Sequence, residues 1–160
     1  MKEYQLNTTM RAYQWDELSD EQREVVSIAK EQTANSYCPY SGFHVGAAAK
    51  LANGMIIRGA NQENAAYPSG LCAERTATFY ASAQYPEIPF NKLAITAINP
   101  TEKLTKPVSP CGSCRQALLE YEQKFNQHIE VLLAGEEGEV YVLKSISDLL
   151  PFSFSSDYLP

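Results

Sequence analysis

Apolar and polar positions change period several times along the chain. In "SDEQREVVSIAKEQTANS" (19–36), Val25, Val26 and Ala29 form an apolar stripe between charged turns. Ser19 stands where a helix N-cap belongs, with acids directly after it. This predicts a helix over 19–36, and "YCPYSG" then breaks the regularity at Pro39 and Gly42. "FHVGAAAKL" (43–51) and "MIIRGAN" (55–61) read as strands joined by the turn "ANG", a hairpin signal. "PSGLCAERTATFYASAQ" (68–84) reads as a helix entered from a Pro-Ser-Gly loop, and "KLAITAIN" (92–99) as a buried strand. "PCGSCRQALLEYEQKF" (110–125) reads as a further helix with Pro110 at its start. "IEVLLAG" (129–135) and "EVYVLKS" (139–145) are strands, and "SISDLLP" (145–151) a short last helix.

The predicted order is α-β-β-α-β-α-β-β-α. Strand-helix-strand units imply parallel strands with right-handed crossovers. The last two strands are the exception: "EEG" is too short for a parallel crossover, so they must be antiparallel. The expected fold is α/β, a three-layer α-β-α arrangement around a five-stranded mixed sheet. There is no internal repeat, low-complexity tract or dividing linker, so 160 residues fit one domain, 1–160. Residues 1–18 have weak periodicity and read as an N-terminal arm; 150–160 read as a C-terminal tail.

Composition, 44% hydrophobic and 20% charged, is that of a globular protein able to bury its own core. No apolar run approaches the roughly 20 residues needed to span a bilayer. "MKEYQLNTTMRAYQW" carries no export signal, so the cytoplasm is the expected location and no membrane partner is expected. The net charge is −6, with no basic cluster. Phosphate neutralisation dominates nucleic-acid affinity, so a neutral or cationic small substrate is expected rather than a nucleic acid.

There are four cysteines: Cys38, Cys72, Cys111 and Cys114. In a reducing compartment such residues point to metal binding or catalysis rather than disulfides. Cys111 and Cys114, at i and i+3 near a helix start, share a face and meet the positive end of the helix dipole, which favours thiolate. Alone, that pair suits zinc, a redox dithiol or two half-buried helical cysteines. Cys72 adds weight to zinc, because it too opens a helix, and a single strand separates the two helices. Both helix starts are then expected near the carboxyl ends of the strands that feed them, the edge where open α/β sheets hold ligands. Three thiolates with one open position describe a catalytic zinc site, with one ion per chain. Cys38 lies away from both helix starts and reads as a packing residue. His44 reads as a hydrogen-bonded strand residue, and His128 has no assigned role.

Glu74, two residues from Cys72, is placed to reach the open side of the metal and move protons there. A first-turn glutamate favoured only by the helix dipole is the competing reading. Arg75 shares the face of Cys72 and can donate to its sulfur. It would thereby reduce the negative charge that three thiolates leave on zinc, tuning the metal without touching substrate.

"CAE" (72–74) and "PCGSC" (110–114) resemble the signature of the cytidine deaminase family. So do "PYSGFHVGAA" (39–48), "NQENAAYPSGLCAERTA" (61–77), "PCGSCRQAL" (110–118) and "LLPFSF" (149–154), over roughly residues 20–155. The resemblance is to the small, homotetrameric, zinc-dependent nucleoside enzymes. It implies their fold and hydrolytic deamination of cytidine and deoxycytidine to uridine and deoxyuridine plus ammonia, in pyrimidine salvage or catabolism. It also implies zinc on Cys72, Cys111 and Cys114, with Glu74 moving protons. Asn61 and Glu63 would bind ribose hydroxyls, Phe43 would pack on the pyrimidine, and Tyr67 would line the ribose end. The backbone of Ala73 would bond the base, and Phe154 would complete a neighbouring chain's pocket. Two features depart from the family: the arm is longer than in its short form, and Cys38 stands where a small or β-branched residue is expected. Other readings of the motifs are a polynucleotide deaminase, which the acidic balance disfavours, a non-catalytic zinc-stabilised binding protein and a thiol redox protein.

Overall fold

The computed structural model describes residues 1–159; Pro160, the end of the expected tail, lies outside the described residues. One sheet organises the chain. Its strands are β1 (Met10–Tyr13), β2 (His44–Leu51), β3 (Ile56–Ala60), β4 (Phe90–Ile98), β5 (Glu130–Ala134) and β6 (Val140–Leu143), in the spatial order β1-β6-β5-β4-β2-β3. Helices α1 (Asp20–Gln32), α2 (Ala73–Gln84) and α3 (Gly112–Phe125) cover it. β4 and β5 pair in parallel; the other neighbours, including β5 and β6, are antiparallel.

The alternation along each strand sorts the core into two faces. Ala48, Ala94 and Leu132 point to α1, where Val25, Val26 and Ala29 complete an apolar cluster. Ala49, Leu93 and Val131, one residue away in register, point to the opposite layer with Ala77 and Ala81 of α2 and Leu118 and Leu119 of α3. The three-layer α-β-α expectation therefore holds.

The five-strand count does not. The segment expected to be only an arm supplies β1, which pairs with β6 from Met10↔Leu143 to Tyr13↔Val140. Its residues are mostly exposed. An edge strand held mainly by backbone hydrogen bonds leaves little hydrophobic alternation to read. The helix-linked strands β3 and β4 do run in the same direction, but β2 lies between them.

Ser19 caps α1, accepting from the Gln22 amide while the Gln22 side chain returns to the Ser19 amide. The α-helix stops at Gln32, and Thr33–Asn35 continue as a 3-10 turn. The other two helices begin later than their sequence patterns suggest. Cys72 and Cys111 are N-cap residues with extended backbone, and the prolines at 68 and 110 lie outside the helices. Gly59 sets the position of α2: a Cβ there would stand 2.4 Å from the Ala73 carbonyl oxygen and 2.6 Å from the Ala77 nitrogen. The missing side chain lets the first turn of α2 rest directly on β3.

Candidate metal centre and active site

Cys72 and Cys111 cap their helices in the same unusual way. Neither side chain accepts from the helix backbone, as a serine or aspartate N-cap would, so both sulfurs are left for another partner. Three residues on from each cap stands a second functional side chain: Arg75 after Cys72, and Cys114 after Cys111. The Arg75 guanidinium lies 3.6 Å from the Cys72 sulfur. The Cys111 and Cys114 sulfurs are 3.5 Å apart.

The three sulfurs of Cys72, Cys111 and Cys114 all lie within 4.8 Å of one another. A tetrahedral zinc with sulfurs at about 2.3 Å requires them about 3.8 Å apart, so the cluster fits one such ion with little adjustment. The electrostatics point the same way. Hydrogen bonding from Cys114, aided by Arg75, pulls the Cys72 thiol down to about 5. The same contact, with burial and the Glu74 charge, pushes the Cys114 thiol upward. Without a cation the pair holds one negative charge; a divalent ion is what permits several thiolates at this spacing. The buried Arg75 Nε has no hydrogen-bond partner. Zinc fits this donor set, with three soft ligands and one position left open toward the cavity.

Glu74 is buried, only 4% exposed. Burial is the largest cause holding its carboxyl above the usual carboxylate range, and the neighbouring Cys72 charge adds to it. A carboxyl poised this way can both accept and return a proton.

The cavity in front of these groups measures about 600 Å³, within the usual range for small-molecule sites. Phe43, Asn61, Glu63, Tyr67, Cys72, Glu74, Arg75 and Cys111 all line it, together with apolar Val45, Leu71, Ile95 and Val108. The other two residues singled out in the sequence lie beside the lining. Ala73, expected to act through its backbone, is fully buried in the first turn of α2 with its carbonyl close to Gly59, and Phe154, expected to serve a neighbouring chain's pocket, lies on the C-terminal tail outside this cavity.

Asn61 uses its amide to fix the start of β2. Its Oδ1 accepts from the Val45 amide at 2.8 Å, and its Nδ2 donates to the Phe43 carbonyl at 2.9 Å. One donor hydrogen and one lone pair remain for a ligand. Glu63 accepts from the Tyr40 amide at 2.9 Å, the Ser41 amide at 3.2 Å and the Ser41 hydroxyl at 2.5 Å. The Ser41 hydroxyl is the chief reason its carboxyl lies below the usual range. The sequence reading did not single out Tyr40 or Ser41. They stand 23 and 22 positions from Glu63, so no periodicity links them.

Cys38 is buried, with its sulfur 3.3 Å from His44 Nδ1, and His44 also meets the Ser36 hydroxyl at 2.6 Å. Neither residue joins the thiol cluster. His128 is exposed, 3.9 Å from Glu122. All four cysteines are free thiols. Among the described residues no helix is long and apolar enough to cross a membrane.

Comparison with known proteins follows the same lines. The family described as "Cytidine and deoxycytidylate deaminase zinc-binding region" matches residues 19–127. A cytidine deaminase of Halalkalibacterium halodurans is 38% identical over 133 residues, 83% of this chain and 93% of the relative. One from Sporosarcina psychrophila is 38% identical over 136 residues, 85% and 93% of the two chains. The crystal structure of cytidine deaminase from Burkholderia pseudomallei superposes with a TM-score of 0.72 at 36% identity, covering 86% of this chain and all of that one. The matched family region contains both cysteine motifs and ends before the tail, and the chain belongs to the cytidine and deoxycytidylate deaminase family.

Proposed function

We propose that the protein hydrolyses the exocyclic amino group of cytidine and deoxycytidine, releasing uridine or deoxyuridine and ammonia. The observation that carries this reading is the buried Glu74 carboxyl beside a three-thiol zinc site, at the deep end of a largely apolar cavity. Cys72, Cys111 and Cys114 would hold zinc, which when bound would supply Lewis acidity to make water a usable nucleophile near neutral pH. Glu74 takes a proton from that water and passes it to N3 of the pyrimidine as the new C4–O bond forms. It then carries the second proton to the departing amine, so that C4–N breaks with loss of ammonia and the base is left as a carbonyl. Phe43 offers a ring for the pyrimidine, and Asn61 and Glu63 offer a donor and acceptors for a diol. Tyr67 stands at the outer end.

A free nucleoside is favoured over a nucleotide. Arg75 is the sole basic residue of the cavity lining, and it is engaged with Cys72. Glu63, ionised and fixed by the Tyr40–Ser41 loop, would face a 3′-phosphodiester. Like charges held that close repel, which disfavours a phosphodiester there.

We read the chain as one catalytic domain that assembles into a homotetramer, with Phe154 of one chain stacking on the pyrimidine bound by another. In support, the tail does not bury its aromatic rings in its own chain. Phe152, Phe154 and Tyr158 are exposed, while Ser155 between them is buried. The cytoplasm suits four unpaired thiols.

The test is an ultraviolet assay of cytidine, deoxycytidine, cytosine, CMP and adenosine, run on the wild type and on Glu74→Gln. Cytidine and deoxycytidine should be turned over and the others poorly or not at all. Glu74→Gln should keep its zinc and lose about 100- to 10,000-fold in kcat. CMP as the best substrate would defeat the nucleoside assignment, and a zinc-loaded Glu74→Gln with normal turnover would defeat the proton-transfer role.

A further inference from the structure

The helix that supplies two zinc ligands also holds the C-terminal tail. Arg115, next to Cys114, donates from Nε to the Pro110 carbonyl and from Nη1 to the Leu149 carbonyl, each at 2.9 Å. One guanidinium thus joins the entry to α3 to the point where the tail departs. Lower on the same helix, buried Glu122 accepts from the Ile146 amide at 2.8 Å and the Ser145 hydroxyl at 2.7 Å, fixing the turn before the tail. Beyond Leu149 these anchors end, and the next one is Gln116. Its Nε2 donates to the Phe154 carbonyl at 2.9 Å, and its Oε1 accepts from the Phe154 amide at 3.4 Å.

A carboxamide that satisfies both backbone groups of one residue acts as a short stretch of pairing strand. It fixes the peptide planes on either side of that residue and leaves the side chain unused. The Phe154 ring is 58% exposed, with one face stacked on Tyr158 at 5.7 Å. The geometry therefore separates two tasks: Gln116 sets where the Phe154 backbone is, and the residue stays mostly exposed.

We infer that Gln116 is a positioning residue, which ties the backbone of Phe154 to the zinc-bearing helix so that its ring is presented outward from a fixed place. The inference rests on the reading above in one respect, that the presented ring meets a pyrimidine in a neighbouring chain. The tie itself does not depend on that reading. Because Cys114 and Gln116 share one turn of α3, the thiolates and the tail move as one body, and the pocket a ring completes is registered to the metal site of the chain that offers it.

Amide hydrogen exchange, zinc content and steady-state kinetics on full-length Gln116→Ala, Gln116→Glu and Phe154→Ala separate these elements. Gln116→Ala removes both bonds, and exchange of tail amides over 152–156 should accelerate about tenfold while the rest of α3 is unchanged. Zinc per chain should stay at the wild-type value. KM for cytidine should rise about 5- to 10-fold, with kcat changed less than about twofold. Gln116→Glu keeps the acceptor for the Phe154 amide but loses the donor to its carbonyl, and should fall between wild type and Gln116→Ala in both exchange and KM. Unchanged tail exchange in Gln116→Ala would overturn the inference, as would loss of zinc or a fall in kcat at constant KM. Phe154→Ala tests the ring alone. If it leaves KM unaltered while Gln116→Ala still frees the tail, the tie stands and the shared pocket falls.

Discussion

The deep and outer ends of the cavity are built by different means. At the deep end every functional group comes from the start of a helix. Cys72 caps α2 and Glu74 and Arg75 lie in its first turn; Cys111 caps α3 and Cys114 lies in its first turn. Local helical geometry sets each spacing, and Gly59 locks α2 against the sheet. At the outer end the polar groups come from irregular chain, held by contacts that cross the sequence. Asn61 grips the start of β2, and Glu63 is gripped by the backbone of the 40–41 loop. Rigid helix starts suit a reaction centre, where small displacements are costly. The proposed task of the outer end, recognition of hydroxyl groups, asks for less precision, and a loop with several redundant hydrogen bonds suits it.

The largest effect that separates the two ends should come from the thiol cluster. Cys114 is fully buried among the other sulfurs and belongs to the apolar core beneath α3. Cys114→Ala removes a ligand and a core contact together. Zinc content should fall from about one per chain to near zero after dialysis against a mild chelator, with turnover below detection. Full metal retention would mean that the three sulfurs do not act as a set. A smaller effect, confined to chemistry, is expected at Arg75. Its guanidinium bonds Cys72, and burying its aliphatic part does not require the charge. Arg75→Gln should keep zinc and lower kcat by about 10- to 100-fold, with KM little altered. If KM moved instead, Arg75 would belong with the substrate-binding groups.

The same contrast explains what could be read in advance. The Cys-x-x-Cys spacing is legible because residues three apart at a helix start come together, and the Cys-x-Glu spacing because it matches a family signature. The strands β2, β4 and β5 are legible because long apolar runs in them are buried in the core, and β3 because a turn signal joins it to β2. β1 is not, since its exposed residues carry no alternation and its pairing with β6 spans nearly the whole chain. Ser41 is silent for a related reason: its partner is 22 positions away, and serine beside glycine reads as an ordinary turn. Ala73 is a different case: its carbonyl lies against Gly59 where α2 packs on β3, while its amide, at the first turn of α2, has no partner within the helix.

The smallest effect should come from Ser41→Ala at the outer end. The hydroxyl donates to Glu63 and accepts from the Phe43 amide at 3.0 Å, so its loss disturbs both the carboxylate proposed to bind the ribose and the residue proposed to lie beneath the base. Two of the three donors to Glu63 are backbone amides of Tyr40 and Ser41, however, and survive the substitution. The Ser41 hydroxyl is the main cause of the lowered Glu63 pKa, so the carboxyl should move back up toward its ordinary range. A group with a depressed pKa stays charged above that value and loses the benefit only as pH falls through it. At pH 7 Glu63 remains ionised in both proteins, and any change in KM there reports position, not charge. KM for cytidine should rise about 3- to 10-fold at pH 7, with kcat and zinc content unchanged. A fall in kcat as large as that of Arg75→Gln would show that the loop reaches into the chemistry, and the division between a rigid deep end and a redundant outer end would not hold.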